Sequence, residues 1–258
     1  MNIVSVVNQK GGVAKTTTCA NLGACLAARR QRTLLIDLDP QANLTLGLRR
    51  DWEDLPYGLY DVLLDWNSSP LAGVIRPIGD LPLYLAPGHL DMARCEATLM
   101  RYDRSAYHLR HALEALLRTN PFDWVLIDCP PSLGILTQNA IVASKYLLIP
   151  TEPKMYAFAG MDTLDKMVTQ LAQEYMFDID LLGVLLTMYE RGTRLHRAVA
   201  QVIRERFGEQ VFETIIYRNV RLSEAEIEGK PVILFDRNAT GAQNYSALTE
   251  EILRRVGK

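Results

Sequence analysis

The sequence predicts an α/β fold in which a doubly wound, mostly parallel sheet carries helices on both faces. Two observations support this prediction. Short apolar segments alternate along the chain with longer amphipathic segments, and strands that are buried on both faces have this composition. A glycine-rich loop also separates the first apolar segment from the first helical pattern, and this strand–loop–helix order is typical of phosphate-binding folds.

The predicted elements follow one another along the chain. The first strand covers residues 3–7, and a helix follows it from residue 16 to about residue 29. Further strands, separated by helical patterns, are predicted at residues 33–36, 83–86, 124–127, 146–149 and 181–186. Right-handed crossovers place the loops that follow these strands at one edge of the sheet, where a ligand site forms.

The composition limits the classes of protein that the chain can belong to. A length of 258 residues with 48% hydrophobic residues suits a single domain, which we predict to cover residues 1–258. Residues 49–81 are less regular, contain Trp52 and Trp66, and are predicted to be a surface insertion between strands. The formal net charge of -2 excludes a globally basic protein, so any contact with nucleic acid must come from a local patch.

The sequence also indicates a compartment. The N-terminus has neither the basic segment nor the cleavage site of a signal peptide, and no apolar run approaches the roughly 18 residues of a membrane span. Cys19, Cys25, Cys95 and Cys129 lack metal-ligand spacing and lie in apolar contexts, so we expect reduced, buried thiols in a cytoplasmic protein. The four histidines form neither a catalytic triad nor a metal-binding pattern.

The strongest functional signal is the loop Lys10-Gly11-Gly12-Val13-Ala14-Lys15-Thr16-Thr17. Glycines let consecutive backbone N–H groups converge on phosphate oxygens, and the N-terminus of the following helix adds a favourable dipole. Lys15 is expected to reach the β- and γ-phosphates of ATP, and the Thr16 hydroxyl is expected to ligate Mg²⁺. The loop therefore predicts ATP binding by this set of residues.

The loop departs from the standard pattern G-x-x-x-x-G-K-[ST], because Gln9 and Ala14 occupy its two glycine positions. If position 14 needs a positive φ angle, alanine costs about 1 kcal/mol or more there, and if the position is helical, alanine costs nothing. A second lysine, Lys10, precedes the glycine pair. This arrangement resembles the deviant Walker A type of P-loop, whose signature lysine has that position.

Two further segments narrow the resemblance. They are Asp37-Leu38-Asp39-Pro40-Gln41 and Ile127-Asp128-Cys129-Pro130-Pro131-Ser132-Leu133-Gly134. With them, the chain resembles nearly end to end the ParA/Soj family of partition ATPases, which are relatives of MinD. Residues 218–225 and Gly229-Lys230-Pro231 are typical of the ParA branch.

The resemblance implies a role for each matching residue of the site. Lys15 and Thr16 hold the phosphates and the metal, while Lys10 reaches across an ATP-bound homodimer to the phosphates of the partner. Asp39 matches the aspartate that helps to position the attacking water, and Asp128 matches the Walker B carboxylate, which holds a metal-bound water. Thr16, Asp39 and Asp128 are thus the predicted metal site. Phosphoryl transfer needs this kind of charge neutralisation and an in-line water more than covalent chemistry.

Several positions near the site differ from the family pattern or compete for a role in it. Asp37 ends the same strand as Asp39 and is the competing candidate for its role. Ala42 stands where the family usually has glycine and is expected to stiffen the switch loop. Tyr217 replaces a usual proline where the adenine pocket closes, so we predict that it stacks on the base, with Asn219 also in the nucleotide site.

The resemblance also implies non-specific binding of double-stranded DNA by the C-terminal region. The candidate contacts are the cations of that region: Arg191, Arg194, Arg218, Arg221, Lys230 and Arg237. Such side chains neutralise backbone phosphates without recognising bases. The family often has an arginine aligned with Gly192, for which Arg191 or Arg194 must substitute here. The alternative is a solvated, charge-balanced surface, because several glutamates lie beside these arginines.

The resemblance implies a cycle for chromosome or plasmid partition in the cytoplasm. The ATP-bound dimer binds nucleoid DNA, and a ParB-like centromere-binding protein stimulates a slow ATP hydrolysis that releases it. The alternative is a MinD-like peripheral membrane ATPase, which would end in a basic amphipathic helix. Here Glu250 and Glu251 oppose an anionic surface, and we expect the apolar side of the last helix to pack on the sheet. No membrane partner is therefore expected.

Two other classes share parts of this pattern. A redox relative, like the nitrogenase iron protein, would use paired cysteines to bridge an Fe–S cluster across a dimer. Cys95 and Cys129 invite that comparison, but Cys129 directly follows Asp128 and is expected to be buried. The remaining alternative is a nucleotide-binding scaffold that does not hydrolyse ATP.

Overall fold

The computed structural model describes residues 1–48, 55–102, 104–154 and 157–257, and for residues 157–159 it describes the backbone alone. Seven strands form one sheet, and β1 to β7 are Asn2–Val6, Thr33–Asp37, Arg76–Pro77, Leu83–Ala86, Trp124–Asp128, Tyr146–Thr151 and Asp180–Leu186. Their order across the sheet is β3-β4-β2-β5-β1-β6-β7. All neighbouring pairs are parallel except β3 with β4, so the predicted fold class is confirmed.

The helices connect these strands and continue beyond the last one. In the described part of the chain, α1 to α11 are Lys15–Ala28, Asn43–Leu48, Leu59–Leu64, Met92–Leu99, His108–Thr119, Ile135–Ala143, Ala157–Tyr175, Arg194–Phe207, Val220–Ile227, Val232–Phe235 and Thr240–Val256. The first helix and the six predicted strands agree with the sequence to within two residues at each end, which is the normal uncertainty of such boundaries.

Both faces of the sheet are buried, as the apolar composition of its strands predicted. In β2, Leu34 and Ile36 enter the core on one face, while Leu35 enters the core on the other. This alternation follows from the pleat of a strand, which points successive side chains to opposite faces. The first face is covered by helices that include α5 and α6, and the second is covered by α1 and α11.

The prediction of a surface insertion at residues 49–81 is wrong for the part that the structure describes, and residues 49–54 lie outside the described ranges. Leu59, Val62 and Leu63 of α3 are fully or almost fully buried in the core of the first face, together with Leu71 and Val74. The segment ends in β3, which pairs antiparallel with β4 at the edge of the sheet. The sequence did not predict that this segment belongs to the core and to the sheet, because α3 has six residues and β3 has two, too few for a clear periodic pattern.

The last helix packs on the sheet, as its apolar side predicted. Tyr245, Leu248 and Ile252 of α11 are completely buried in the core of the second face. The four cysteines are free and buried, which confirms their predicted burial. Among the helices in the described ranges, none combines the length and the apolar character that a membrane span requires.

The strand order brings three strand ends together at one edge of the sheet. The end of β1, Val6, lies beside Asp128 at the end of β5, and Asp37 at the end of β2 lies on the other side of Asp128. The loops that follow β1 and β2 contain the glycine-rich motif and Asp39, and Asp128 is the last residue of β5. The parallel arrangement therefore assembles the candidate site at the carboxyl edge.

Candidate active site

The glycine-rich loop joins β1 to α1 and is anchored to the neighbouring strand β6. The side-chain amide of Asn8 donates a hydrogen bond of 2.8 Å to the carbonyl of Pro150, and its oxygen accepts one of 2.9 Å from the N–H of Lys10. At the other end, the Thr187 hydroxyl donates to the carbonyl of Val13 over 3.0 Å. These contacts hold the loop open around its own backbone N–H groups.

Ala14 has a left-handed conformation, with φ 64° and ψ 35°. Position 14 therefore needs a positive φ angle, which the sequence left open. A residue with a Cβ atom pays about 1–2 kcal/mol for this conformation, whereas glycine adopts it without strain. Ala42 in the switch loop also has a positive φ, of 52°. Both positions are those at which the family pattern has glycine, so the chain keeps the backbone shape without the residue that adopts it most easily.

The N-terminus of α1 is free to receive an anion. No side chain caps this helix and its first turn contains no acidic residue, while a hydrogen bond of 2.9 Å joins the N–H of Thr18 to the carbonyl of Ala14. The Lys15 ammonium group lies 3.3 Å from the carbonyl of Lys10, to which it donates. Burial lowers the pKa of Lys15, and the Asp128 carboxylate acts in the opposite direction. A buried cation at a helix N-terminus is suited to phosphate.

Asp128 is completely buried, and neither of its carboxyl oxygens accepts a well-aligned hydrogen bond from the described residues, although the Thr16 hydroxyl lies close enough to act on its pKa. Burial raises the pKa of Asp128 well above its usual value, and the neighbouring Asp37 adds to the effect. Thr16 and Lys15 act in the opposite direction. An unpartnered buried carboxyl is costly unless a ligand pairs with it. The site therefore has an unsatisfied acceptor beside the Thr16 hydroxyl.

Asp37, by contrast, is held in a structural network. One of its carboxyl oxygens accepts hydrogen bonds from the N–H and the hydroxyl of Thr45, at 2.9 and 2.7 Å, and the other accepts from the N–H of Asp39. The Thr45 hydroxyl in turn accepts from the N–H of Gly88. Burial raises the pKa of Asp37 to about 6, against the effect of these hydrogen bonds. Asp37 thus ties α2 to the end of β4.

Asp39 has the position from which a carboxylate can act on a ligand. It lines the cavity described below, and one of its oxygens accepts a hydrogen bond of 2.9 Å from the N–H of Gln41. The structure therefore favours Asp39 over Asp37 as the residue that faces a bound nucleotide.

A cavity of about 550 Å³ lies above the glycine-rich loop. The loop and Asp39 line it, and so does a wall that contains Tyr217, Arg218 and Asn219. The chain reaches this wall because a bridge joins Tyr189, after β7, to Tyr217. Met188, Ile216, Leu222, Ser223, Glu226 and Tyr245 also line the cavity, and the sequence analysis had not predicted them as site residues. The volume is within the range of small-molecule sites.

Tyr217 and Asn219 are shaped by contacts within the protein. The Tyr217 ring meets Tyr189 edge to face at 5.8 Å, and the Arg191 guanidinium lies 4.3 Å from its centroid. Asn219 caps the N-terminus of α9, since its side-chain oxygen accepts from the N–H of Arg221. Arg191 therefore contacts a residue of the cavity wall by a cation–π interaction.

The donor set fits a hard divalent cation bound together with phosphate. In the described part of the chain, no cluster of three or more His, Cys, Asp or Glu side chains forms a metal cage. The Thr16 hydroxyl and the unpartnered Asp128 carboxyl are oxygen donors, and Mg²⁺ prefers few protein oxygens completed by water and phosphate. The residues present thus fit Mg²⁺ with a nucleotide.

A carboxylate that the sequence did not single out lies at the rim of the site. Glu152, the residue after β6, is almost completely buried and faces three cations. Its oxygens lie 2.8 Å from Lys154 Nζ, 3.4 Å from Lys10 Nζ and 3.6 Å from a guanidinium nitrogen of Arg218. Burial opposes ionisation of Glu152, but Lys154 and Lys10 outweigh it, and its pKa lies below the usual value.

The candidate DNA-binding cations have different surroundings. Arg218 is paired with Glu190 at 2.8 Å, and Arg221 is paired with Glu224 at 2.7 Å. The charge-balanced alternative therefore describes these two arginines, and their predicted contact with DNA stays a prediction. The remaining candidates are exposed and make no ion pair within the described ranges: Arg191, Arg194, Lys230 and Arg237.

Comparisons with known proteins identify the family of this chain. Residues 1–181 match the family model described as an AAA domain. The chromosome partitioning protein ParA of Myxococcus xanthus is 39% identical over 253 residues, which cover 98% of this chain and 88% of that protein. The sporulation initiation inhibitor protein Soj of Bacillus subtilis is 40% identical over 250 residues, which cover 97% of each chain.

A solved structure is similar over the same extent. Cobyrinic acid a,c-diamide synthase from Mycobacterium smegmatis, solved with a bound ATP analog and magnesium, has a TM-score of 0.85 and 32% sequence identity. The match covers 100% of this chain and 96% of that one. The similarity of fold therefore includes a protein that holds the ligands for which the site is suited.

Proposed function

The chain belongs to the ParA/Soj family of partition ATPases, and from this premise we propose that it works as an ATP-gated dimer on DNA. The observation that carries the proposal is the pairing of a two-lysine loop with the unpartnered Asp128 carboxyl at the end of β5. ATP and Mg²⁺ are the ligands, since phosphate suits the N-terminus of α1 and Mg²⁺ suits the Thr16 hydroxyl.

The residues of the site divide the work of hydrolysis. The backbone of Gly11 to Thr17 and the Lys15 ammonium group hold the phosphates, and Asp39 orients the attacking water from the cavity wall. The Thr16 hydroxyl and, through a water, the Asp128 carboxyl would hold Mg²⁺, which would supply charge neutralisation on the phosphate oxygens. Lys10, on the exposed side of the loop, extends to the phosphates of a second protomer. The site is therefore complete only in a dimer.

Tyr217 closes the base end of the cavity. Its ring lines the cavity and is covered on one face by Arg191, so the adenine stacks against a ring whose position is already defined. Asn219 lines the same wall at the start of α9. Both residues connect the nucleotide to the C-terminal region, which carries the candidate DNA-binding cations.

The DNA surface consists of the exposed arginines around α8 and the loop before it. Arg191 and Arg194 flank Gly192, whose φ of 88° disfavours a side chain at that position. A dimer doubles the number of such cations, and a protein whose net charge is -2 can then bind DNA in one nucleotide state alone. Nucleoid association and release by a ParB-like centromere-binding protein complete the proposed cycle.

The test of this function is the nucleotide dependence of assembly and DNA binding. With ATP and Mg²⁺, light scattering after size exclusion should give the mass of a dimer, and a fluorescent DNA duplex of arbitrary sequence should be retarded. With ADP, or with ATP and a chelator of Mg²⁺, both signals should be lost. Equal DNA binding with ATP and ADP would contradict the proposal.

The MinD-like alternative has no structural observation in its favour. The apolar side of α11 is buried in the core, so this helix offers no apolar face to a lipid surface. Sedimentation with anionic liposomes in the presence of ATP tests this alternative, and we expect the protein to stay in the supernatant.

A further inference from the structure

Glu152 connects the exposed lysine of the loop to the body of the protein. Its side chain is 5% exposed, whereas that of Lys10 is 38% exposed, so the carboxylate is the fixed member of the pair and the lysine is the mobile one. The 3.4 Å between them is a contact of a charged donor with a charged acceptor. Lys10 is the residue that the proposed dimer requires on the partner's phosphates.

The fold itself produces this contact. Strand β6 lies beside β1, with Leu148 in register with Val6, so the segments that follow both strands leave the sheet together. Asn8 then bonds to Pro150 and to the N–H of Lys10 and thereby sets the distance between the two segments. Lys10 and Glu152 are therefore neighbours for a topological reason.

Glu152 still has neighbouring cations when Lys10 moves away from it. Lys154 and Arg218 lie 2.8 and 3.6 Å from its other oxygen, Oε1, as ion-pair partners without a well-aligned hydrogen bond, so the buried charge keeps two neighbouring cations when Lys10 leaves. Removing the only partner of a buried charge is costly, but removing one of three partners is much less so. Glu152 can therefore bind Lys10 in the free protomer, and Lys10 can leave it for a phosphate group.

From these contacts we infer that Glu152 is a positioning residue that holds Lys10 until ATP-bound protomers meet, and so sets the ATP concentration at which they dimerise. This inference rests on the proposed ATP-bound dimer. In the nucleotide-free protomer, Lys10 stays on its own Glu152. When a partner presents its triphosphate, Lys10 exchanges one carboxylate for more strongly charged phosphate oxygens.

Glu152→Gln tests this inference, because glutamine keeps the shape of the side chain and removes its charge. The variant should form the dimer at a lower ATP concentration, by about fivefold, since an ion pair of this exposure contributes up to about 1 kcal/mol. The matched control is Glu190→Gln, which removes the other carboxylate on Arg218 but does not contact Lys10. The control should dimerise as the parent protein does, and Glu152→Asp should restore most of the parent threshold.

A second variant should change the ATP concentration needed for dimerisation in the opposite direction. Lys154→Ala removes a competitor for the Glu152 carboxylate, and its side chain is 49% exposed, so the fold tolerates the change. Lys10 should then be held more firmly, and dimerisation should need about two- to fivefold more ATP. The double variant Lys154→Ala/Glu152→Gln should dimerise at the same ATP concentration as Glu152→Gln alone. Without the carboxylate at position 152, Lys10 and Lys154 no longer compete for a negative charge.

The measurements are the mass of the protein by light scattering across an ATP titration and the binding of a fluorescent ATP analogue to dilute monomer. Monomer binding should be unchanged in all variants. If Glu152→Gln dimerises at the parent ATP concentration, or at a higher one, Glu152 does not restrain Lys10 and the inference is overturned. If the parent protein itself stays monomeric with ATP, the proposed function fails first, and the two failures are thereby distinguished.

Discussion

Asp37 and Asp128 lie in register on the neighbouring strands β2 and β5, and both carboxyl groups are fully buried, yet within the described part of the chain Asp37 alone of the two accepts well-aligned hydrogen bonds. Both aspartates end a buried strand, so their sequence contexts do not show that one is structural and the other is available to a ligand. Asp37 stabilises the turn to α2 through Thr45, while Asp128 keeps its acceptors for a ligand. Asp39, two residues beyond Asp37, is then the carboxylate that faces the cavity.

Asp39→Ala should lower ATP turnover by about a hundredfold, because it removes the group that positions the attacking water. The ATP-bound dimer should accumulate and stay on DNA, while the melting temperature changes little. Steady-state phosphate release and DNA retardation measure the two effects. Unchanged turnover would remove Asp39 from the mechanism.

Thr45→Val is the structural counterpart of that variant. It leaves Asp37 and the N–H of Gly88 without the hydroxyl that joins them, so the free energy of unfolding should fall by about 1–3 kcal/mol. Turnover by the folded fraction should be largely retained. A variant with parent stability and no turnover would assign the network to catalysis instead.

Ala14→Gly and Ala42→Gly should each stabilise the protein by about 0.5–1 kcal/mol, because glycine adopts a positive φ without the strain of a Cβ atom. In a chain of this size, the melting temperature should rise by about 2–4 °C per kcal/mol. Ala20→Gly in the middle of α1 is the matched control and should destabilise the protein by about 1 kcal/mol. Destabilisation by all three would show that the positive φ angles carry no strain.

Arg191 and Arg194 should contribute to DNA binding more than Arg221, whose charge is already paired with Glu224. Arg194→Glu should weaken DNA binding uniformly across sequences, and each lost phosphate contact should reduce the slope of log K against log salt by about 1. Arg118→Glu on α5 is a control of equal charge change on an exposed arginine. If both variants weaken binding equally, net charge and not a local patch explains the result.

Tyr217→Ala should raise the dissociation constant of ATP about tenfold, since stacking on a base contributes roughly 1–3 kcal/mol. Tyr217→Phe keeps the ring and should bind ATP as the parent does. Calorimetric titration in the presence of Mg²⁺ measures both affinities. Equal losses in the two variants would mean that the hydroxyl, and not stacking, contributes to binding.

Glu251→Gln should destabilise the protein by about 1–3 kcal/mol at neutral pH. The Glu251 carboxylate accepts hydrogen bonds from the N–H groups of Glu213 and Thr214 and contacts Arg255. Burial opposes ionisation, but these donors outweigh it, and the pKa of Glu251 is lowered. A lowered pKa stabilises the fold above the unfolded value near 4.3 and loses that contribution as pH falls through the folded value. The free energies of unfolding of the parent protein and of Glu251→Gln, measured with urea, should therefore converge as the pH falls. A difference between them that does not change with pH would contradict this prediction.

Much of the fold was predictable because its signals are local. Each buried strand has its own apolar segment, and the glycine-rich loop has its own spacing, so the strands β1, β2 and β4 to β7 and the nucleotide site follow from short windows of sequence. The wrong prediction was the surface insertion. Leu59, Val62 and Leu63 lie in an irregular stretch, and only the space between the sheet and α5 shows that they are core residues.

The amino-acid sequence by itself determined the mostly parallel sheet and the two-lysine loop, and its resemblance to a family predicted the roles of Asp39 and Asp128. The tertiary structure alone decided the positive φ angle of Ala14, the structural role of Asp37 and the contact between Lys10 and Glu152. The last two residues are 142 positions apart, and no periodicity connects them. They meet because β6 lies beside β1, and strand order depends on which buried faces pack together, a property of the whole chain and of no single segment.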